Sequence, residues 1–164
     1  MSKVNLKFKI QMGLIIALAL FALTLIVSQN ANPNAPALFA VKRLQEKAFL
    51  KLTPSPSGKV DYMSRLLDNR LKELQSIVKD KHYDYLLYSS LRYSTLAGQI
   101  TDVIADNNLT DKVNVVKQQF SDHQKVLNEL YILYPKNTSN LEYKYIEDDY
   151  NYLNLYLEKL PKTS

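Results

Sequence analysis

The sequence predicts an all-α protein: one N-terminal transmembrane helix, then an antiparallel (up-down) helical bundle of four long helices plus one short helix. Three observations predict it. Met12–Val27, MGLIIALALFALTLIV, carries no charge and no proline. Beyond it, apolar residues recur every three and four positions in five separate stretches, the period of a one-sided helix. No stretch shows the period-two alternation of a half-buried strand.

As a helix, Met12–Val27 spans about 24 Å, or about 27 Å with Ile10 and Gln11. The hydrocarbon core of a bilayer is about 30 Å, so the segment suffices for one short span. Its anchoring residues are Leu14, Ile15, Ile16, Leu18, Leu20, Phe21, Leu23, Leu25, Ile26 and Val27. Lys3, Lys7 and Lys9 precede it with no acid nearby, and the positive-inside rule keeps them cytoplasmic. The lipid bilayer is therefore the first expected partner. The chain is expected to be a single-pass cell-membrane protein, N-terminus cytoplasmic and C-terminal domain extracytoplasmic. The rival reading is a cleaved signal peptide, whose apolar region is roughly 7–15 residues followed by a small-x-small site. The best site follows Ser28 and places Ile26 at the third position back, a poor match. Cleavage there would make the protein secreted.

Residues 29–37 form a Pro/Asn linker, since Pro33 and Pro36 cannot donate helix hydrogen bonds and push their predecessors toward extended backbone. Residues 38–161 form the extracytoplasmic helical domain, and 162–164 a tail. The short helix covers Leu38–Leu52, with Val41, Leu44 and Ala48 on one face, and ends at the Thr53-Pro54-Ser55-Pro56-Ser57-Gly58 breaker. The first long helix runs from Ser57 or Gly58 to about Lys79, with its stripe at Val60, Met63, Leu67, Leu71, Leu74 and Val78 and charges opposite, Asp68 among them. The next covers Tyr83–Asp106, with Tyr83, Leu86, Ser90, Tyr93, Ala97, Ile100 and Ile104 in step. Its small members, with Gly98 beside them, let a neighbouring helix approach closely. Asn107 and Asn108 make a turn. The third long helix covers Thr110–Tyr134, with Val113, Val116, Phe120, His123, Leu127, Leu130 and Tyr134 in step and Thr110 or Asp111 as cap. The last covers Ser139–Leu160, with Tyr143, Ile146, Tyr150, Leu153, Leu157 and Leu160 in step. Ser139 and Glu142 fit a capping box, and Pro161 stops the helix. Short connections between long helices imply antiparallel neighbours.

Composition narrows function. Cysteine is absent, which excludes disulfides, thiolate metal sites, a thiol nucleophile and an acylated lipoprotein anchor. The formal charge of +5 belongs mostly to the N-terminal tail. Removing Lys3, Lys7 and Lys9 from the 21 basic residues leaves 18 against 16 acidic ones, a balance of +2. The charges are interspersed, without the basic stripe of a nucleic-acid binder, so no nucleic-acid partner is expected.

No motif carries chemistry. His123 lies on an apolar stripe, but Gln119 and Leu127 stand where a second helical metal ligand would fall, so it reads as a hydrogen-bonded boundary histidine. His82 reads as a solvated turn residue. Glu147-Asp148-Asp149 reads as a solvated face, because adjacent helix positions point about 100° apart and do not converge on one ion. No catalytic residue, metal ligand or cofactor is assigned, and the chain is expected not to be an enzyme. Most of the twelve tyrosines read as boundary rings with their hydroxyls toward water. Tyr145, Tyr152 and Tyr156 fall off the main stripe of the last helix and are the candidate interaction surface.

Three segments resemble a known family. They are Pro36-Ala37-Leu38-Phe39-Ala40-Val41-Lys42-Arg43-Leu44-Gln45-Glu46-Lys47, then Leu52-Thr53-Pro54, then Arg70-Leu71-Lys72-Glu73-Leu74. Over residues 33–105 this resembles the DUF5667 family of exported bacterial and archaeal domains of unknown function. It departs from the family pattern at Ala35, where a serine is usual, and at Phe39, which replaces a tyrosine. The resemblance implies an N-terminal membrane segment, export and an all-helical domain, and implies no chemistry. The functional expectation is a non-enzymatic envelope module that binds an unknown protein or cell-wall partner, or acts as a scaffold. The alternative is a sensory or regulatory ectodomain acting through a membrane partner. Oligomeric state is not readable from the chain.

Overall fold

The structure, a computed structural model, describes residues 3–28, 35–136 and 141–162. Among the described residues it is all-helical, with no strand. The chain divides into two units, Met1–Phe49 and Leu50–Ser164.

The first unit holds α1 (Lys3–Ser28) and most of α2 (Pro36–Leu52). The stretch Gln11–Ser28 of α1 has a mean hydropathy of 2.3 and is long and apolar enough to cross a membrane. Ile15, Ile16, Leu18, Leu20, Phe21, Leu23, Ile26 and Val27 are all exposed along it. The side chains of Lys3, Lys7, Lys9, Leu14 and Leu25 lie outside the described ones, as do residues 29–34 of the expected linker. Pro36, expected in the linker, instead opens α2. A proline is tolerated there because the first turn's N–H groups have no intrahelical partner.

In the second unit, Ser55 caps α3 (Pro56–Lys79), its Oγ accepting from the Gly58 amide at 3.1 Å. A Cβ on Gly58 would stand 2.8 Å from that oxygen, so the cap needs the glycine. A short 3₁₀ turn, Tyr83–Tyr85, leads into α4 (Leu86–Asp106), followed by α5 (Thr110–Leu133) and α6 (Tyr143–Lys159). The ends of α3 and α4 close in the same way. Lys81 and Asn108 take left-handed backbone, with φ of 59° and 52°. The next amides reach back to the helix, His82 to the Ile77 carbonyl at 2.9 Å and Leu109 to that of Ile104 at 3.0 Å. This six-to-one closure satisfies carbonyls the helix leaves open, and asparagine tolerates the conformation best after glycine.

Two expected caps differ. Neither Thr110 nor Asp111 caps α5, whose cap position is Leu109. Ser139 lies outside the described residues, and α6 begins at Tyr143. The Glu142 carboxylate does not cap α6 but accepts from the Tyr134 hydroxyl at 2.7 Å.

α3 packs on α4, α4 on α6, α6 on α5, and α5 on α3. Cross-helix contacts give the directions. Asp61 meets Lys112 and Asp68 meets His123, so α3 and α5 advance together. Ser90 meets Tyr145 and Gly98 meets Tyr156, so α4 and α6 also advance together. Glu73 meets both Ser89 and Arg92 across α3 and α4. Tyr131 meets Tyr143 while Gln124 meets Asn154, so α5 and α6 run in opposite senses. The stripes converge on one core in which Met63, Leu67, Leu74, Leu86, Leu96, Ile100, Phe120, Leu127, Ile146 and Leu153 are fully buried.

Candidate functional site: a polar chain through the helical core

The core is not purely apolar. Tyr93 on α4 and His123 on α5 both sit in phase with their apolar stripes and are both buried. The Tyr93 hydroxyl lies 2.9 Å from His123 Nδ1, and His123 Nε2 lies 2.9 Å from Asp68 Oδ1 on α3. Gln119, one turn before His123, donates from Nε2 to the same Asp68 oxygen at 2.5 Å and to the Ser64 carbonyl at 2.9 Å. Three helices are thereby tied by one row of hydrogen bonds. The Asp68 carboxylate is about half exposed and forms its outer end.

The protonation states follow from the environment. Burial pulls His123 below its ordinary value of 6.5, opposed by the hydrogen bond and charge of Asp68. A neutral imidazole with its proton on Nε2 satisfies both ends. It donates to Asp68 and accepts from the Tyr93 hydroxyl. Burial first, then the charges of Asp149 and Asp68, push Tyr93 well above its ordinary value of 10.0, so the hydroxyl keeps its proton and donates. The row has the order of a catalytic triad but the opposite electrostatics. Its hydroxyl is disfavoured as an anion and fully enclosed, whereas a nucleophile needs activation and access.

Asp149, on α6, is 1% exposed. Burial raises its carboxyl from 3.8 to about 8, the Ser90 and Ser94 hydroxyls pull against the rise, and Asp148 adds to it. Those hydroxyls donate elsewhere, Ser90 to the Tyr145 carbonyl at 3.2 Å and Ser94 to the Ser90 carbonyl at 3.0 Å. Both Asp149 oxygens are left without a hydrogen-bond partner among the described residues. At pH 7 the group is therefore mostly the neutral acid, the form a low-dielectric interior favours. This corrects the expectation that the acidic run is a solvated face. Glu147 and Asp148 are exposed, but Asp149 points into the core. A second polar cluster joins α3 to α4. Glu73, 4% exposed, accepts from Ser89 at 2.6 Å and pairs with Arg92 at 3.2 Å. Arg70 donates to the Arg92 carbonyl.

No family model, curated protein or solved structure matches this chain. The site is therefore read from its own residues. Among the described residues no group of three or more His, Cys, Asp or Glu is placed to hold a metal ion. Of the expected surface tyrosines, Tyr152 is exposed and stacks on Tyr156 with ring centroids 6.1 Å apart. Tyr156 is half-buried, its hydroxyl pressed against the α4 backbone at Gly98. Tyr145 is also half-buried. The three do not make one open face. Tyr152 shares exposure instead with Tyr150 and Leu155 on the same helix, and Tyr88 and Leu91 are exposed on α4.

Sequence reasoning missed Asp149 and Asp68. A signal existed for the first. Asp149 falls three residues after Ile146 and four before Leu153, which is in phase with the stripe. Tyr150, four after and three before, fits the same step equally well, and its apolar ring made it the preferred choice. For Asp68 there was none, since a carboxylate on the polar side of α3 looks solvated until α5 is laid beside it.

Proposed function

We propose that the chain is a non-enzymatic, membrane-anchored extracytoplasmic module that binds a protein or cell-wall partner or serves as a scaffold. On this reading α1 is a single span with Lys3, Lys7 and Lys9 on the cytoplasmic side. On this reading helices α3–α6 form a four-helix bundle whose senses alternate along the chain, with α3 beside α5 and α4 beside α6 running parallel rather than as the antiparallel neighbours that the short connections imply. The resemblance of residues 33–105 to the DUF5667 family fits the same layout. The observation that carries the proposal is the enclosure of the chain's polar chemistry. Tyr93 and His123 are consumed in holding three helices together, while Tyr88, Leu91, Tyr150, Tyr152 and Leu155 offer apolar surface outward. Photo-crosslinking residues placed at Leu91 and Tyr152 of the full chain test it in intact cells. One adduct of reproducible mass from both positions is expected, and no adduct at either overturns it. External protease should digest the part after Val27, and protection of that part refutes the topology.

A second reading, a sensory ectodomain acting through a membrane partner, is favoured by Asp149. A buried acid that titrates near pH 8 couples folding to external pH. Partner capture that changes between pH 6 and 9 supports it, and capture that is flat over that range removes it.

A further inference from the structure

We infer that α2 is an interfacial helix that lies on the anionic surface of the membrane crossed by α1. The inference rests on the reading of α1 as a membrane span.

Laid out at about 100° per residue, α2 carries one broad apolar arc, with Phe39 and Leu50, which packs against the core, on the opposite side. Leu44, Ala48, Val41, Leu52, Leu38 and Phe49 fall within an arc of about 140°, with Gln45 the one polar residue inside it. Leu44, Phe49 and Leu52 are 70%, 59% and 78% exposed. Lys47 and Lys51 border the arc on one side and Lys42 on the other, with Arg43 behind. Lys42, Arg43, Lys47 and Lys51 outnumber the helix's one acid, Glu46, so α2 is net basic. An apolar face edged by lysines is what the boundary of an anionic bilayer selects. The rings and branched chains enter the acyl edge while the ammonium groups reach back to phosphate.

The tether chooses the occupant. Only residues 29–35 separate the end of α1 from the start of α2. Seven residues reach at most about 25 Å when fully extended. With α1 in the bilayer, α2 cannot leave the membrane surface by more than that, and the lipid it faces is at very high local concentration. A soluble protein partner has no such advantage.

The chain contains no tryptophan, so a single introduced tryptophan, excited at the red edge where the twelve tyrosines do not absorb, reports its own position. The test uses the full chain in nanodiscs of 70% phosphatidylcholine and 30% phosphatidylglycerol, with lipids brominated either mid-chain or close to the headgroup. Phe21→Trp reports α1 and Leu44→Trp reports α2, both at exposed positions where the ring is accommodated. Mid-chain bromine should quench the first. Bromine near the headgroup should quench the second at least twofold, and more weakly in discs of phosphatidylcholine alone. Quenching of Phe21→Trp without quenching of Leu44→Trp overturns the inference and leaves the anchor standing. No quenching of Phe21→Trp overturns the anchor and the inference with it. Equal quenching of Leu44→Trp in both lipids overturns the assignment to an anionic surface.

Discussion

Asp149→Asn should raise the stability of the protein by an amount that grows with pH. The carboxyl titrates at about 8 in the folded chain against an ordinary value of 3.8. Its folded value is raised, so the folded state holds a proton that the unfolded chain has already released. Below pH 3.8 both states are protonated and the group is close to neutral in effect. From there to pH 8, stability falls by about 1.4 kcal/mol per pH unit. At pH 7 the loss is about 4 kcal/mol, a large share of the roughly 5–15 kcal/mol that a domain has. Above pH 8 both states are ionised and the loss stops growing. Asparagine keeps the shape and never ionises. Its amide, unpartnered in the same place, costs about 1–3 kcal/mol at every pH. The pH dependence is thus the robust quantity. The stability difference, variant minus parent, should widen by about 4 kcal/mol between pH 5 and pH 8. Urea unfolding of the full chain in mild detergent, followed by far-ultraviolet circular dichroism at each pH, measures it. All other titrating groups are shared, so the difference isolates Asp149. A difference that stays flat within about 1 kcal/mol across that range refutes a buried, unpaired carboxyl.

Tyr93→Phe removes the donor to His123 Nδ1 in a buried place and should cost about 1–3 kcal/mol by the same unfolding measurement. The His123 imidazole, followed by proton NMR, should titrate below 6.5, and lower still in Asp68→Asn, which removes the charge and weakens the hydrogen bond that oppose its burial. Its contribution to stability is then present above pH 6.5 and lost as the pH falls through the lower folded value. Gly98→Ala would set a Cβ 2.9 Å from the Tyr156 hydroxyl and 3.0 Å from its ring, so it should destabilise by about 1 kcal/mol net of the helix-propensity gain. In a Tyr156→Ala background the same change should become stabilising by about 1 kcal/mol, because only the propensity gain remains.

The fold was legible where period and punctuation act locally. Val60, Met63, Leu67, Leu71, Leu74 and Val78 are all buried on α3, as their spacing requires. The Asn107-Asn108 turn ends α4, because asparagine tolerates the left-handed residue that the closure needs. Small residues on α4 mark the close approach of α6, seen where Tyr156 meets Gly98. What was not legible depends on pairing between helices. Asp68 is ordinary until α5 brings Gln119 and His123 to it, 51 and 55 residues further on. Glu142 belongs to a local capping pattern in sequence, yet the Tyr134 hydroxyl takes it. A local rule loses there to a partner supplied by the preceding helix.

The two functional readings make opposite demands on Asp149. A scaffold needs only that α4 and α6 stay together, and a side chain that never ionises serves it better at about pH 7 and above. A sensor needs the instability itself, because the proton on Asp149 is then the input, and its loss loosens the contact between α6 and the small-residue face of α4. Tyr93 stands beside this contact on α4 and ties it to α5 and α3 through His123 and Asp68. A change at Asp149 therefore has a physical route to the half-exposed carboxylate of Asp68. The row from Tyr93 onward is hydrogen-bonded and Asp149 acts on Tyr93 through its charge, while coupling along the whole route is a separate quantity. It is measured as the movement of the His123 ring-proton resonances between about pH 7 and pH 9, where the imidazole is already neutral and Asp149 ionises, in the parent against Asp149→Asn. A sensor requires a movement in the parent that the variant lacks, together with partner capture that loses its pH dependence in the variant. An unmoved His123, with capture unchanged from pH 6 to 9, leaves Asp149 as a stability defect inside a scaffold.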